Sequence, residues 1–324
     1  MATTEHEPSS HVETFPRRVK SRNAHQTFKN RRSDLRDFRE WTEREGVDLI
    51  EADPLEIEPY FFYLSEQGYA SSTIDSRYYS LSRFYDFIAD KKDLIEESPF
   101  ENIERSEFSR LMDGTEKEAQ TRDKITYVPP EEVEQIADNV SAPRLRNESI
   151  VRMMFQTGVR EGELVDMRLE DLNRDERSID VYEEKNQTYR TVFYQPSLDL
   201  LLDQWIDEGY RASHNRAPNS EYLFVSDYTP KLEKQRINKI VKWAAQDAGI
   251  NEVMYEDKGG GKKWKITSHA LRHGHAVASL KSDIDVRTVQ EHMGHSDISM
   301  TMKYLRLIDD DVREAYHNKF GTSW

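Results

Sequence analysis

Hydrophobic residues in the first hundred positions recur at helical spacing in three separate segments. The three stripes consist of Phe28, Leu35, Phe38 and Trp41; of Ile57, Tyr60, Phe61 and Leu64; and of Ile74, Tyr78, Leu81, Tyr85 and Ile88. A stripe with this period is typical of an amphipathic helix that packs one face against a core. The pattern therefore predicts a small all-helical domain, which we assign to residues 16–103.

The second half of the chain mixes two periods. Residues 177–194, "RSIDVYEEKNQTYRTVFY", contain two short alternating segments around a polar turn, which predicts a β-hairpin. The segment "NESIVRMMFQTG" predicts a buried helix that ends at Gly158. Further helical stripes lie around 133–140, 198–205 and 237–248. The predicted fold class is therefore α+β, mostly α with a small β-hairpin or sheet.

The length of 324 residues exceeds what one ordinary core needs and favours two domains. The segment 104–126 is highly charged and shows little periodicity, so we interpret it as a linker. The second domain then spans 127–324. Residues 1–15 are polar and acidic, which predicts a disordered tail.

The composition excludes several classes of protein. No segment approaches 18 consecutive apolar residues, so we expect no membrane partner. The N-terminus "MATTEHEPSS" lacks the apolar core of a signal peptide. Without cysteine there is no disulfide framework and no thiolate metal site. We expect a soluble, cytoplasmic protein.

The net charge of −15 argues, taken alone, against a nucleic-acid-binding protein. An alternative explanation is adaptation to high salt, in which surplus Asp and Glu cover the surface of every protein, DNA-binding proteins included. The 18 lysines among the 46 basic residues, set against 61 acidic residues, fit that explanation. An ordinary acidic protein is the other interpretation.

Two local features reverse the acidic character. Residues 16–32 carry seven basic residues, Arg17, Arg18 and Lys20 among them, and no acid. This segment is either an arm that contacts phosphates or a solvated helix start. In the third predicted helix, Arg77 and Arg83 lie with two serines opposite the apolar stripe. That face either contacts a DNA backbone or is simply solvated.

Five stretches of the second domain carry residues suited to one reaction. They are Arg160 in "TGVREGEL", Lys185 at the hairpin turn, His269 and Arg272 in "SHALRHGHA", His295 in "HMGHS", and Tyr304 nine residues later. Each stretch alone is a weak signal, since surface arginines and hairpin lysines are common.

Together these residue types fit phosphoryl transfer. A pentavalent phosphorane carries extra negative charge on its non-bridging oxygens, and two guanidiniums can bind those oxygens through paired hydrogen bonds. A tyrosine hydroxyl can act as the nucleophile and a lysine can protonate the leaving alkoxide. This chemistry requires no metal ion, and the sequence offers no carboxylate cluster to hold one.

In order, spacing and local context, these motifs resemble those of the tyrosine recombinases, the phage integrase family. The resemblance covers essentially residues 20–310. It implies a SAM-like core-binding domain that clamps DNA, followed by a tyrosine recombinase catalytic domain. It also implies double-stranded DNA as the partner, a homotetramer on that DNA, and site-specific recombination or integration without ATP, metal or another cofactor.

The resemblance implies a role for each residue at the phosphate. Tyr304 attacks the scissile phosphodiester and forms a 3′-phosphotyrosyl bond, expelling a 5′-hydroxyl. Arg160 and Arg272 bind the non-bridging oxygens. His295 donates a hydrogen bond to the phosphate.

The remaining roles concern protons and support. Lys185 is implied to be the general acid for the 5′ oxygen, and His269 assists proton transfer at the nucleophile. Glu163 matches a supporting acidic residue of the family. One departure is "YEDKGGGKKWKIT" (255–267), which we interpret as a longer, basic, glycine-rich loop. Its lysines are candidates for phosphate contacts: Lys262, Lys263 and Lys265.

Other functions stay open. A histidine-rich region runs from His269 to His295, and imidazole is a common metal ligand, so a metal enzyme is one alternative. A DNA-binding regulator without catalysis is another. Within the same chemistry, a chromosome or plasmid dimer resolvase or a type IB topoisomerase is the second choice. Tyr316 is a rival nucleophile, although it lies far from His295 in sequence.

The C-terminal segment 305–324 contains Leu305, Ile308, Val312 and Tyr316 near helical spacing. This pattern predicts a helix. We expect it to dock on a neighbouring subunit of the tetramer, with packing against its own chain as the alternative.

Overall fold

The computed structural model describes residues 25–69, 71–92, 94–103, 125–183, 187–256 and 262–308. The chain divides into two compact units, Met1–Lys124 and Ile125–Trp324. The fold is mostly helical with small antiparallel sheets, which confirms the predicted α+β class. Several predicted features lie outside the described residues: the tail 1–15, Arg17, Arg18, Lys20, Lys185, the part of the linker from 104 to 124, Val312 and Tyr316.

The helices of the first unit carry the three predicted apolar stripes. They are α1 (His25–Glu45), α2 (Pro54–Glu66) and α3 (Ser71–Lys92), followed by a short 3-10 helix (Pro99–Glu101). Helix α2 begins with a capping box, in which the side chain of Asp53 accepts a hydrogen bond from the Glu56 amide and that of Glu56 accepts one from the Asp53 amide.

Aromatic rings form much of the core of the first unit. Phe38 lies edge-on to Tyr60, with ring centroids 4.9 Å apart, and Tyr85 packs near Phe100 at 5.7 Å. The Tyr85 hydroxyl donates to the Leu49 carbonyl at 2.9 Å, so this buried polar group is satisfied. All four rings are less than a tenth exposed, so these aromatic contacts lie away from water and contribute to the core of the unit.

The second unit begins with three helices and a sheet. Its elements in chain order are α4 (Pro130–Asp138), α5 (Arg144–Thr157), α6 (Glu161–Asp166), β1 (Leu172–Asn173), β2 (Ser178–Glu183), β3 (Thr188–Phe193), α7 (Asp199–Ile206), α8 (Lys234–Asp247), β4 (Val253–Glu256), β5 (Lys262–Trp264), α9 (Ser268–Lys281) and α10 (Val286–Met293). Residues 298–308 form a last helix, α11, as far as the described part extends.

The sheet has the strand order β1-β2-β3, and β2 and β3 pair in antiparallel fashion with Glu183 opposite Thr188. This pairing confirms the predicted hairpin. The segment that we predicted as a glycine-rich loop differs, because β4 and β5 pair there as a second antiparallel hairpin. Val253, two positions before that segment, and Tyr255 within it have β propensity, a signal that the glycines obscured.

The main core of the second unit surrounds α5. Its inward face buries Ile150, Met153 and Met154, which are at most 1% exposed. Trp205 of α7 is equally buried, and its indole N–H donates to the Leu223 carbonyl at 2.9 Å. This core fixes the end of α5 at Gly158, from which the candidate site begins.

A smaller hydrophobic cluster supports the C-terminal helices. It joins Val277 of α9 and Met293 of α10 to Tyr304 of α11, and Leu305 and Ile308 pack against it. These two residues of the predicted C-terminal helix therefore contact their own chain. Among the described residues, no helix combines the length and the apolar character that crossing a membrane requires.

Candidate active site

Arg160 lies where the chain turns from α5 into α6. Gly158 ends α5 in the left-handed conformation, with φ of 62°, and Arg160 is the N-cap of α6. Its guanidinium donates from Nη1 to Glu163 Oε1 at 2.8 Å and from Nη2 to the Gly294 carbonyl at 3.2 Å. The side chain is 41% exposed, so one edge faces solvent.

Arg272 is the buried counterpart of Arg160. It lies on α9, is 2% exposed, and donates to the carbonyls of Gly158 and Met293, the latter at 2.6 Å. Burial, and then the positive charge of Arg160, lowers the pKa of Arg272 to about 9, so the guanidinium stays protonated at neutral pH. The two arginines thus bind the consecutive carbonyls of Met293 and Gly294 at the end of α10.

Glu163 forms hydrogen bonds with Arg160 and with a second arginine, Arg190. Its carboxylate accepts from the Arg160 backbone amide at 2.8 Å and from two nitrogens of Arg190 at 2.8 and 3.1 Å. Burial alone would raise the pKa of Glu163, but the hydrogen bonds and charges of Arg190 and Arg160 lower it to about 2. Glu163 is therefore ionised at neutral pH and serves as the anion between two guanidiniums.

His295 is oriented by the helix that carries Tyr304. Gly294 ends α10 with φ of 65°, which turns the chain so that His295 is only 7% exposed. Its Nδ1 lies 2.8 Å from the hydroxyl of Thr301, which is itself fully buried. Burial, and then the charges of Arg272 and Arg160, lowers the pKa of His295 to about 4, so the ring is neutral at pH 7.

The Tyr304 hydroxyl lies inside this cluster rather than in solvent. Tyr304 is 4% exposed, its ring stacks near that of His295 with centroids 6.3 Å apart, and its oxygen lies 2.7 Å from His273 Nδ1. Burial raises the pKa of the Tyr304 hydroxyl, while the charges of Arg272 and Arg160 act in the opposite direction. The Tyr304 hydroxyl therefore lies close enough to both arginines for their positive charges to favour its ionised form.

His269 lies at the start of α9 with an exposed ring. Surrounding protein atoms, and then the charges of Arg272 and Arg160, lower its pKa. Its ring meets that of His273 edge to face, with centroids 4.3 Å apart. Within the described residues, the Tyr304 hydroxyl bonds to His273 and not to His269.

The predicted DNA contacts fall into different environments. Arg83 is exposed, but Arg77 is only 7% exposed and donates at 2.6 Å to both the Tyr60 hydroxyl and the Asp37 carboxylate. The expectation that Arg77 lies on an open, phosphate-contacting face is therefore wrong. Its guanidinium pairs with the half-buried carboxylate of Asp37 at the junction of α1, α2 and α3.

The three lysines near β5 are exposed, as a phosphate contact requires. Two of them already face carboxylates: Lys265 Nζ lies 2.6 Å from Glu252, and Lys262 Nζ lies 3.8 Å from Glu256. Such surface pairs contribute little to stability and exchange readily for another anion.

An open cavity of about 820 Å³ adjoins Arg160. Lys231, Lys234 and Tyr182 line it together with Gly294. Lys231 contacts Asp166, while Lys234 approaches the backbone of Gly162 closely. The cavity thus adds basic side chains next to the arginines.

Sequence reasoning missed three residues of the site. His273, Arg190 and Thr301 each contact one of the predicted residues directly. His273 had a readable signal, because it follows His269 by four positions and so shares its helical face. Arg190 had none, since its partner Glu163 lies 27 positions away along the chain. Thr301 lies only six positions after His295, but its residue type alone did not indicate a contact.

The geometry can bind an anion and activate a hydroxyl next to it. Two guanidiniums and neutral imidazoles converge where positive charge is concentrated, and the burial of Arg272 and His295 strengthens their electrostatic interactions with a phosphate. Within the described ranges, no group of three or more His, Asp or Glu side chains is arranged to hold a metal ion.

The chain is similar to known proteins in both sequence and fold. Residues 126–310 match the model of the phage integrase family. A curated relative, tyrosine recombinase XerC of Pediococcus pentosaceus, is 26% identical over 285 residues, covering 86% of this chain and 85% of its own.

Solved structures show the same fold. One is the XerH site-specific recombinase bound to a palindromic difH substrate in a post-cleavage complex, with a TM-score of 0.69, 19% identity, and coverage of 95% of this chain and 84% of that one. Another is a lambda integrase tetramer bound to a Holliday junction, with a TM-score of 0.63, 15% identity, and coverage of 91% and 76%.

Proposed function

Because this chain belongs to the phage integrase family and is a tyrosine recombinase, we propose that it cleaves and rejoins double-stranded DNA through a 3′-phosphotyrosyl bond to Tyr304. Site-specific DNA recombination by strand cleavage and rejoining is the activity of the family. We propose below which residues of this chain carry out that activity.

One observation carries the proposal. Arg160 and Arg272 donate to the consecutive carbonyls of Gly294 and Met293, and the charges of both arginines act on the Tyr304 hydroxyl. A phosphate that replaces or bridges these contacts meets two guanidiniums and the nucleophile at once. Such preorganised positive charge is what a phosphorane requires.

The other residues then take the following roles. His295, whose Nδ1 is bound to Thr301, presents its other ring nitrogen to a phosphate oxygen. Glu163 fixes the orientation of Arg160. His269 assists proton transfer, and Lys185, from the β2–β3 turn, protonates the leaving 5′ oxygen. The energy of the cleaved bond is kept in the phosphotyrosyl link, so the reaction uses no ATP, metal or cofactor.

The test is a covalent trapping experiment. Nicked duplexes tiled across the DNA that flanks the gene are incubated with the protein, and products are separated on a denaturing gel. We expect a protein–DNA adduct that survives EDTA and disappears in Tyr304→Phe. The control is Tyr316→Phe, which removes the rival nucleophile and is expected to leave the adduct unchanged.

Three results would overturn the proposal. An adduct that persists in Tyr304→Phe but is lost in Tyr316→Phe would assign the nucleophile elsewhere. Folded wild-type protein that binds a tiled duplex specifically yet never forms an adduct would favour a DNA-binding regulator. Adduct formation that EDTA abolishes and Mg²⁺ or Zn²⁺ restores would favour the metal enzyme.

The proposed DNA partner and assembly draw on the solved relatives. The XerH structure contains a difH substrate, and the lambda integrase structure is a tetramer on a Holliday junction. We extend a duplex partner and a homotetramer to this chain, with the cavity at Lys231 and Lys234 facing the DNA backbone. Removal of residues 309–324 is expected to impair synapsis more than binding, and equal loss of both would contradict a docking role.

We also propose a biological role for the recombination reaction. We favour integration of a mobile element at the nucleoid, with chromosome or plasmid dimer resolution as the alternative role of the same chemistry. A repeat that matches the end of a tRNA gene beside this gene supports integration. Relaxation of any supercoiled plasmid without sequence preference would instead indicate a topoisomerase.

The acidic composition supports a host adapted to high salt, such as a halophilic archaeon. Without such adaptation, a net charge of −15 is unfavourable for an enzyme that must associate with negatively charged DNA. We expect DNA binding to persist at molar salt. A steep loss of affinity already below about 0.5 M salt would contradict this interpretation.

A further inference from the structure

The Tyr304 hydroxyl is held by a histidine that the predicted catalytic set does not contain. His273 Nδ1 lies 2.7 Å from the Tyr304 oxygen, and the two rings are 5.5 Å apart with an interplanar angle of 51°. Among the described residues this is the hydrogen bond of the Tyr304 hydroxyl. His269, the histidine of the His-x-x-Arg motif, has an exposed ring and makes no such bond.

The direction of the hydrogen bond depends on the tautomer of His273. Burial, and then the neighbouring His269, Arg272 and His295, lowers the pKa of His273 to about 3, so its ring is neutral at pH 7. Burial raises the pKa of the Tyr304 hydroxyl, so the phenol keeps its proton. In the tautomer that carries the ring proton of His273 on Nε2, Nδ1 is unprotonated and accepts the hydrogen bond from the Tyr304 hydroxyl.

We propose that His273 is the group that receives the proton of Tyr304 when the nucleophile attacks DNA. The inference rests on the proposed function, since it concerns the same cleavage step. It assigns the proton to His273 rather than to His269, and it makes His273 a catalytic residue because the ring touches the reacting oxygen.

In the cleavage step, the Tyr304 O–H bond breaks and its proton moves to His273 Nδ1, while the Tyr304 oxygen forms a bond to phosphorus. The bond from phosphorus to the 5′ oxygen breaks, and that oxygen takes a proton from the general acid, Lys185. On rejoining, the 5′-hydroxyl returns its proton to Lys185 as its oxygen attacks phosphorus, the phosphotyrosyl bond breaks, and His273 returns its proton to Tyr304.

The charges around His273 link this transfer to DNA binding. On its own helix it faces His269 and Arg272, from the turn after α10 it faces His295, and from α11 it faces Tyr304. Without DNA, these neighbours disfavour a cationic His273. A phosphate bound between the two arginines adds negative charge beside the ring and favours the imidazolium. His273 therefore becomes an effective base only when the substrate is in place.

The position of His269 fits a secondary role, in contact with His273. Its ring meets the His273 ring at 4.3 Å and is exposed to solvent. His269 therefore lies next to the proton acceptor on the solvent side. A change at His269 is expected to slow cleavage less than the matched change at His273.

The experiment compares three variants in the trapping assay with nicked duplexes. His273→Asn places an amide oxygen near the position of Nδ1, so the hydrogen bond to Tyr304 is kept while the base is removed. His273→Phe removes both, and His269→Asn is the matched control. We expect His273→Asn to slow adduct formation by about 10²- to 10⁴-fold. DNA binding, measured by gel shift, is expected to be unchanged.

A more acidic nucleophile separates proton transfer from positioning. Incorporation of 3-fluorotyrosine at position 304 reduces the need for a base. We expect it to raise the rate of His273→Asn at least about tenfold more than it raises the rate of the unchanged chain. A purely structural role of His273 predicts the same factor in both backgrounds.

Two outcomes overturn the inference while the proposed function stands. They are cleavage by His273→Asn at the wild-type rate, and an equal fluorotyrosine effect in both backgrounds. Failure of the proposed function is distinct, because then the wild type itself forms no adduct at Tyr304. If His273→Asn does not fold, His273→Gln and the pH dependence of the fluorotyrosine effect in the unchanged chain provide the same comparison.

Discussion

Glu163 and Arg190 form a buried two-point ion pair. Arg190 Nη2 lies 2.8 Å from Glu163 Oε2, Nη1 lies 3.1 Å from Oε1, and the side chains are 10% and 8% exposed. The same guanidinium also donates to Glu183 at 2.7 Å and to the His292 carbonyl at 2.9 Å. Arg190 thereby ties the start of α6, the β2–β3 hairpin and the end of α10 together.

Glu163→Gln is expected to lower both stability and the rate of adduct formation. The change removes the carboxylate that Arg160 and the buried Arg190 share and leaves Arg190 with Glu183 alone, and breaking a buried pair costs about 3 kcal/mol. Urea unfolding and the trapping assay measure the two effects. Glu170→Gln is the control, because Glu170 forms only an exposed pair with Arg168, at 3.2 Å and 73% exposure. Equal effects of the two changes would contradict the assigned role of the Glu163–Arg190 pair.

Gly294→Ala is expected to displace neighbouring residues of the site in addition to straining its own backbone. Gly294 has a φ of 65°, and a Cβ there would meet the Glu183 carboxylate and the Arg190 guanidinium. The matched control is Gly249→Ala, which has a φ of 74° and open space around it. Both changes cost about 1 kcal/mol of strain in this conformation. Only Gly294→Ala is expected to slow adduct formation, by about 10²-fold, because His295 is displaced.

If the two glycine variants lose activity equally, the close approach at Gly294 does not position the site. If both are fully active, the αL turn before His295 tolerates displacement and His295 has no fixed role at the phosphate. Thermal melts of both variants establish that the comparison is made on folded protein.

Acidification below neutral pH is expected to destabilise the second unit. Burial lowers the pKa of four histidines, to about 3 for His273 and His275 and to about 4 for His292 and His295. Their unfolded pKa is higher, so below about pH 6.5 the unfolded chain binds protons that the folded chain does not. Stability is therefore lost as the pH falls from that value towards the folded pKa values.

The expected size of this effect is measurable by urea unfolding. Each histidine contributes about 1.4 kcal/mol per pH unit in that window, so we expect a loss of at least about 3 kcal/mol between pH 7 and pH 5.5. His292→Asn is the control and should reduce the slope by about one proton, since His292 no longer titrates. A flat profile over this range would show that these rings are not buried in the neutral form.

Arg77 and Arg83 of helix α3 are expected to behave in opposite ways. Arg77→Ala leaves Asp37 and the Tyr60 hydroxyl without their buried partner and should destabilise the first unit by about 3 kcal/mol. Arg83→Ala should change stability by less than about 0.5 kcal/mol. In a gel shift, however, Arg83→Ala is expected to weaken DNA binding uniformly and lower the salt slope by about one. A loss of stability in Arg83→Ala without loss of binding would contradict a phosphate contact there.

Local sequence patterns were sufficient for most helices of this protein. The stripe that contains Ile57 and Leu64, the glycine stop at Gly158 and the alternation around 177–194 each depend on neighbours within a few positions. The second hairpin was not predicted, because glycine and lysine in 255–267 mask a strand pair that only the register of Val253 against Trp264 reveals. Similarly, the helical position of Arg77 was readable, but its ion-pair partner Asp37 lies 40 residues earlier.

The sequence by itself determined the types and the order of the residues at the candidate site, because that information lies in short motifs such as "HALR" and "MGHS". Only the tertiary structure decided which atoms meet. His273 reaches Tyr304 across 31 positions, and Arg160 reaches Gly294 across 134. The physical reason is that burial and charge pairing depend on three-dimensional packing, whereas periodicity reports only which face of an element turns inward.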